Sequence, residues 1–197
     1  MVNPGDFSQA KDEELVRLTL DNRDNFLYLV DRYKGKLLSY IKRLTNVNDD
    51  DAEDILQDVF IKVYLNLNDF NDSLKFSSWI YRIAHNQVIS NHRKLKARPE
   101  GYLSSIDDQV AQNLMADTDI VAGADLVLLR QNISKILNQL DYKYREVLVL
   151  KFLEEKNYQE ISDIIKKPPG TVASTINKAK EEFRQEMVRQ KIILSAA

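Results

Sequence analysis

The sequence predicts an all-α fold, and three observations carry the prediction. The chain of 197 residues holds only five glycines and four prolines. No segment alternates polar and apolar residues in the manner of a strand. Several segments instead repeat apolar residues at spacings of three and four, the period of a helix with one buried side. An apolar content of 44% is enough for real cores, arranged as one large domain or two small ones.

Taken in order, residues 1–10 show no period. KDEELVRLTL at 11–20 predicts a short helix, with Asp12, Glu13 and Glu14 placed against the positive end of its dipole. A longer helix over 24–44 carries Phe26, Leu29, Val30, Tyr33, Leu37, Tyr40, Ile41 and Leu44 along one side. NVNDDD ends it and offers Asn48 or Asp49 as the N-cap of the next. That next helix buries Ala52, Ile55, Leu56, Val59, Phe60, Val63, Tyr64 and Leu67, the natural partners of the preceding stripe. Its opposite side mixes Asp54, Gln57, Asp58, Ile61 and Leu65. Acids beside exposed apolar groups suggest a docking surface, with a merely solvated acidic face as the plainer alternative.

The stretch DFNDSLKFSS reads as a ten-residue loop, after which Trp79, Ile80, Ile83, Ala84 and Val88 form a second stripe. Arg82, His85, Asn86, Ile89 and Arg93 are left directed elsewhere. From 97 to about 124 the chain holds Pro99, Gly101, Gly123 and several small polar and acidic residues without a sustained stripe, which predicts a linker. It is either a bland tether or a functional acidic plug. Helices follow over about 125–139, with Leu126, Leu129, Ile133, Ile136, Leu137 and Leu140, and over about 143–155.

In YQEISDIIKKPPGTVASTINKAKEEFR, Tyr158, Ile161 and Ile165 give a short helix one buried side and Pro168, Pro169 and Gly170 break it. Val172, Ile176, Ala179, Phe183 and Met187 then restart the stripe. The pattern fits a DNA-binding helix-turn-helix or a plain helical hairpin. In the first case Thr171, Ala173, Ser174, Thr175, Asn177 and Lys178 face outward near the N-terminus of the second helix. A good bidentate contact there discriminates between bases by about 1–3 kcal/mol.

Charge is divided unevenly. Positions 1–96 hold 14 basic and 15 acidic residues, 97–125 one basic and six acidic, and 126–197 thirteen basic and nine acidic. With a pI near 5.8 the chain is less basic than a stand-alone DNA binder, so another molecule is expected to supply part of any DNA affinity. Zero cysteines exclude disulfides and thiolate chemistry, and two histidines give little for a metal centre. No cofactor, metal or catalytic constellation is expected, so an enzyme is the weakest reading. Without a long apolar run or a leader pattern, no membrane insertion is expected and the location is read as cytoplasmic.

With both halves in view, the chain resembles the extracytoplasmic-function (ECF) sigma factors of bacterial RNA polymerase. DAEDILQDVFIKVY at 51–64 is similar to the family's core-polymerase-binding helix. KFSSWIYRIAHNQVISNHRK at 75–94 resembles its promoter-melting and −10-recognition helix. LDYKYREVLVLKFLEEKNYQEISDII with PPGTVASTINKAK resembles the segment that reads the −35 element. The resemblance implies two small helical domains: a region 2 bundle over 1–96 and a region 4 helix-turn-helix over 125–197, joined by a flexible acidic linker over 97–124.

By the same resemblance, Asp50, Glu53, Asp54, Gln57, Asp58 and Ile61 would meet the clamp helices of the polymerase β′ subunit, and the second domain its β flap. Asn71, Asp72, Ser73 and Lys75 would contact a base extruded from the non-template strand, an event costing a few kcal/mol that the site must offset. Phe70, Phe76 and Trp79 would be their aromatic neighbours, although an aromatic at helical spacing is more often core, Trp79 included. Asn86 matches a position that faces −10 DNA, while Arg82, Arg93 and Lys94 could neutralise phosphates. His85 reads as a bystander. Promoter DNA and an anti-sigma protein are the other implied partners. Two departures from the family pattern stand out. Lys166 and Lys167 occupy a turn that usually carries a small and then an apolar residue, and Ala173 and Thr175 stand where basic residues are usual. A stand-alone regulator and a helical adaptor that has lost DNA recognition remain the rival readings.

Overall fold

A computed structural model of the chain describes Phe7, residues 10–96 and residues 132–190, without the side chains of residues 94–96. The linker over 97–124, Leu126, Leu129 and the Lys94 side chain lie outside the described residues. Among those described there is no strand. The helices are α1 (Asp12–Asp21), α2 (Phe26–Thr45), α3 (Asp49–Leu65) and α4 (Phe76–Lys96), then α5 (132–139), α6 (Tyr142–Leu148), α7 (Tyr158–Ile165) and α8 (Pro169–Arg189).

Local chemistry fixes most boundaries. Asn22 caps a 3-10 turn over Arg23–Asn25 by accepting from the Asp24 N–H, so α2 starts at Phe26. Asn46 ends α2 in the left-handed region, and the Asn48 side chain accepts the Asp51 N–H at 2.7 Å to start α3. The acids opening α1 do more than face a dipole. Asp12 accepts from Arg32 at 2.7 Å and from the Tyr33 hydroxyl, and Glu13 accepts the Phe76 N–H at 3.3 Å, tying α1 to α2 and α4.

α1 to α4 pack around Leu15, Leu29, Leu37, Ile41, Ala52, Val59, Val63, Phe76, Ile80 and Ala84, all fully buried. Two expectations are corrected. The loop closes three residues early, because α4 begins at Phe76 with Phe76, Ser77 and Ser78 inside it. Tyr64 lies off the stripe; its exposed ring meets Phe26 edge-on and stacks beneath the Arg23 guanidinium.

α6 continues into a π-helical turn over Val149–Leu153 rather than one regular helix to 155. Glu155 then adopts a left-handed conformation, around which the Lys156 N–H reaches the Leu150 carbonyl at 2.9 Å. Arg145 donates to the carbonyls of Leu137, Asn138 and Leu140 that end α5, and to that of Leu44 on α2. The Asn157–Glu160 capping box starts α7. α7 buries Ile161 and Ile164, not Tyr158, which is exposed. α8 buries Val172, Ile176 and Ala179 against the preceding helices. The apolar core is one cluster running from Leu15 through Ala179, because α7 lies along α4.

Candidate nucleic-acid interface

Three surfaces gather the residues that the sequence singles out. On α3, Asp50, Glu53, Asp54, Gln57, Asp58 and Ile61 are all exposed. Their spacing puts five of them on one face and Glu53 beside it. Ile61 is 50% and Leu65 69% exposed, and Leu27 is exposed on the neighbouring α2. Apolar area left uncovered beside acids marks a face built to be covered. Asp58 is tethered: the nearly buried Gln87 on α4 donates to it at 2.6 Å and accepts from Lys62.

The second surface is the loop before α4 with the outer face of that helix. Asn71, Asp72, Ser73 and Lys75 are exposed. Asn71 accepts the Ser73 N–H at 2.9 Å, an Asx turn that sets the loop's shape. Asp72 stands 3.6 Å from Arg17. Beneath the loop, Phe70, Phe76 and Trp79 pack with ring centroids 5.4–5.6 Å apart, and Tyr33 meets Phe76 edge-on. Phe76 is fully buried and Trp79 nearly so, so they form the floor of the loop rather than its solvent face. Farther along α4, Arg82, Asn86 and Arg93 fall on one side; Asn86 and Arg93 are exposed and Arg82 is half-buried.

On α8, Thr171, Ser174, Asn177 and Lys178 are exposed, and Ala173 and Thr175 are half-buried. The hydroxyls of Ser174 and Thr175 both donate to the Thr171 carbonyl, at 3.0 and 2.7 Å. In that rotamer each offers a base edge its acceptor lone pairs and not its proton. The turn before α8 places Lys166 at φ 55° and ψ 47°, the left-handed region that a lysine enters at a cost of about 1 kcal/mol.

A polar seam, which periodicity did not flag, joins the two halves. The Glu146 carboxylate on α6 accepts from the Tyr40 hydroxyl at 3.2 Å and the Tyr142 hydroxyl at 3.0 Å, and meets Nδ1 of His85. Glu146 is 4% exposed. His85, directed off the apolar stripe of α4, is buried between the halves. Glu154 accepts from Arg43 at 2.7 Å and the Tyr81 hydroxyl at 2.5 Å. Glu160 accepts from Lys75 at 3.0 Å.

Burial, reinforced by the facing carboxylates, pushes the Tyr40, Tyr81 and Tyr142 hydroxyls far above their ordinary ionisation range. Burial also pushes Glu160 upward, but the hydrogen bonds from the Asn157 N–H and Lys75, with the charges of Lys75 and Lys156, outweigh it and hold the carboxyl below its usual value. Among the described residues no His, Asp and Glu cluster could hold a metal ion, and no helix is long and apolar enough to cross a membrane.

Comparison with known proteins places these surfaces in a wider set. Residues 29–98 match the family Sigma-70 region 2, and residues 130–183 match Sigma-70, region 4. The chain is 37% identical to the ECF RNA polymerase sigma factor SigW of Bacillus subtilis over 175 residues, 84% of this chain and 90% of that protein. It is 32% identical to the ECF RNA polymerase sigma-E factor of Escherichia coli K12, over 88% of this chain and 92% of that one. Among solved structures, CnrH in complex with the cytosolic domain of CnrY matches with a TM-score of 0.65 at 23% identity, covering 90% of this chain and 97% of CnrH. The sigma factor RpoE of Bartonella quintana, in complex with the anti-sigma factor NepR, matches with a TM-score of 0.61 at 21% identity, over 83% and 96%.

Proposed function

Since the chain belongs to the ECF sigma factors of bacterial RNA polymerase, we propose that it binds core polymerase and directs it to promoters. The observation that carries the assignment of surfaces is the exposed acidic and apolar face of α3, set beside the exposed Asn86 and Arg93 of α4. Residues 1–96 then act as the polymerase-binding and −10 domain, 97–124 as a linker, and 125–197 as the −35 domain. Asp50, Glu53, Asp54, Gln57, Asp58 and Ile61 dock on the β′ clamp helices. Apolar burial by Ile61 and Leu65 supplies the affinity and the acids supply the register.

Promoter contact starts from the loop. Asn71, Asp72, Ser73 and Lys75 line the mouth of a site whose floor is Phe76 and Trp79. Arg82 and Arg93 neutralise phosphates and Asn86 reads the −10 strand. On α8, Thr171, Ser174, Thr175, Asn177 and Lys178 meet the −35 element, with Ala173 giving apolar contact. With so few cations there, this contact is weak alone and gains strength inside the holoenzyme. The polymerase supplies the bond-making chemistry, so the chain has no catalytic residue of its own and works in the cytoplasm. The complex of RpoE with the anti-sigma factor NepR supports regulation by an anti-sigma protein.

The test is promoter-dependent transcription from purified chain, cognate core polymerase and a pool of genomic fragments. Discrete new start sites are expected. A chain that leaves polymerase unbound but binds an operator tightly would overturn the reading in favour of a stand-alone regulator.

A further inference from the structure

Lys156 stands between the π-helical turn and α7. The left-handed Glu155 folds the chain back there, and the Lys156 N–H closes on the Leu150 carbonyl at 2.9 Å, so the backbone that carries this lysine is pinned. Its ammonium is half-buried, 4.5 Å from the centre of the Tyr81 ring on α4. Two further cations come close enough to act on it, Lys36 from α2 and Lys75 from the residue before α4. The carboxylates around it are already committed. Glu154 takes Arg43 at 2.7 Å and the Tyr81 hydroxyl, and Glu160 takes Lys75 at 3.0 Å and the Asn157 N–H. Among the described residues Lys36 and Lys156 make no ion pair.

Cations therefore outnumber carboxylates at this point. Burial holds the Lys156 ammonium below its ordinary range; Glu160 and Glu154 oppose that shift, and Lys36 and Lys75 add to it. An ammonium that is partly desolvated, without an ion pair and faced by two others, is relieved by an incoming anion. The cations come from three elements around one aromatic ring rather than in a row along one helix, which suits a compact ligand better than a backbone running past. Phosphate groups fit, because they concentrate charge and strong acceptor oxygens in a small volume. We propose that Lys36, Lys75 and Lys156 form a binding site for a small diphosphate-bearing anion. Lys75 keeps Glu160 in this arrangement, since an ammonium has three donors. The ligand joins the N-terminal bundle to the segment before α7, and the site does not depend on the sigma reading.

Calorimetric titration of the full chain with pyrophosphate, at an ionic strength held constant with sodium chloride, should show a single site. Sulfate under the same conditions should bind at least about tenfold more weakly. Lys36→Gln with Lys156→Gln should weaken pyrophosphate by at least about tenfold, while Lys36→Arg with Lys156→Arg, which keeps the charge, should stay within a few-fold of the natural chain; helix content should be unchanged in both. Pyrophosphate affinity that survives the glutamine pair, or sulfate that binds equally well, makes the cluster a general counterion surface and overturns the site. A glutamine pair that weakens a short single-stranded oligonucleotide but not pyrophosphate assigns these cations to a DNA backbone, and the site falls as well. A second arm needs no substitution. Brief labelling of the natural chain with an amine-reactive ester, read by mass spectrometry, should show pyrophosphate shielding Lys36 and Lys156 but not the exposed Lys143. Labelling of Lys36 and Lys156 that pyrophosphate leaves unchanged would overturn the proposal.

Discussion

The seam makes its strongest claim at Glu146, where one carboxylate serves three donors. Tyr40 is fully buried and its hydroxyl bonds to Glu146 across 106 positions of sequence. Glu146→Leu keeps the side chain's bulk but leaves the Tyr40 hydroxyl, the Tyr142 hydroxyl and the His85 ring without their acceptor. A buried donor left unsatisfied costs about 1–3 kcal/mol. Tyr142 lines a small crevice beside Leu44, Val88 and His92, where water can recover part of its loss. The sum is then about 3–5 kcal/mol, the range for breaking a buried polar network at one member. At about 2–4 °C per kcal/mol for a chain of this size, the midpoint should fall by about 6–20 °C.

Tyr40→Phe alone should cost about 1 kcal/mol, but almost nothing in the Glu146→Leu background, where the orphaned donor is gone. The coupling energy should be about 1–2 kcal/mol. Urea unfolding read by circular dichroism and by fluorescence of the single tryptophan, Trp79 in the N-terminal bundle, measures both effects. A Trp79 transition that stays fixed when Glu146 on the other half is replaced, with coupling below about 0.5 kcal/mol, would refute the seam.

Three further outcomes follow from other parts of the molecule. Asp54→Arg with Ile61→Glu reverses a charge and places another on the apolar part of the α3 face; helix content should be unchanged while polymerase affinity drops at least about 100-fold, the equivalent of some 3 kcal/mol, and retained pull-down of core polymerase would remove the docking assignment. Lys166→Gly relieves the left-handed turn at a cost in unfolded-chain entropy that nearly offsets it, so stability should be unchanged or rise by up to about 0.5 kcal/mol, whereas a loss of about 1 kcal/mol or more in urea unfolding would refute the strain. In alkali, Tyr33, Tyr40, Tyr81 and Tyr142 hold their protons in the folded chain above the ordinary value of 10.0, burial being the chief cause in each. The folded state then binds more protons than the unfolded one, so stability is complete below about pH 10 and declines above it by about 5 kcal/mol per pH unit for the four together. Tyrosinate absorbance from these four should therefore rise only as helical dichroism is lost, and a rise of all nine tyrosines with dichroism intact would contradict their burial.

Helix existence was legible in the sequence because the 3.6-residue period is local: Leu29, Tyr33, Leu37, Tyr40 and Leu44 record a buried side without reference to what buries it. The exposed acids and Ile61 of α3 were legible for the same reason, as residues off the stripe. The period misplaced groups at element ends. Phe76 was assigned to a loop because its neighbours are polar, yet it starts α4, where the Glu13 carboxylate takes its N–H. Tyr158 continues the apolar spacing of α7 but projects past the core, leaving the burial to Ile164. Lys166 and Lys167 stand out in sequence as departures from the family's turn pattern, and Lys166 takes the left-handed position; Glu155, also left-handed, carries no such signature because it follows a π-helical turn.

The amino-acid pattern by itself determined the all-helical class, the order of the helices, the outward faces of α3 and α8, and the resemblance that assigns the chain to its family. Tertiary structure alone decided what His85, Glu146, Glu154 and Glu160 do. His85, Glu146 and Glu160 sit at polar positions of their helices and Glu154 just past the π-helical turn, where periodicity reads each as solvated. Each gains a partner 61 to 111 positions away because α7 packs along α4 and brings α6 against α2. A helix's own spacing states which side avoids water. It carries no information about which distant polar group will replace that water, and in this chain that replacement joins the two halves.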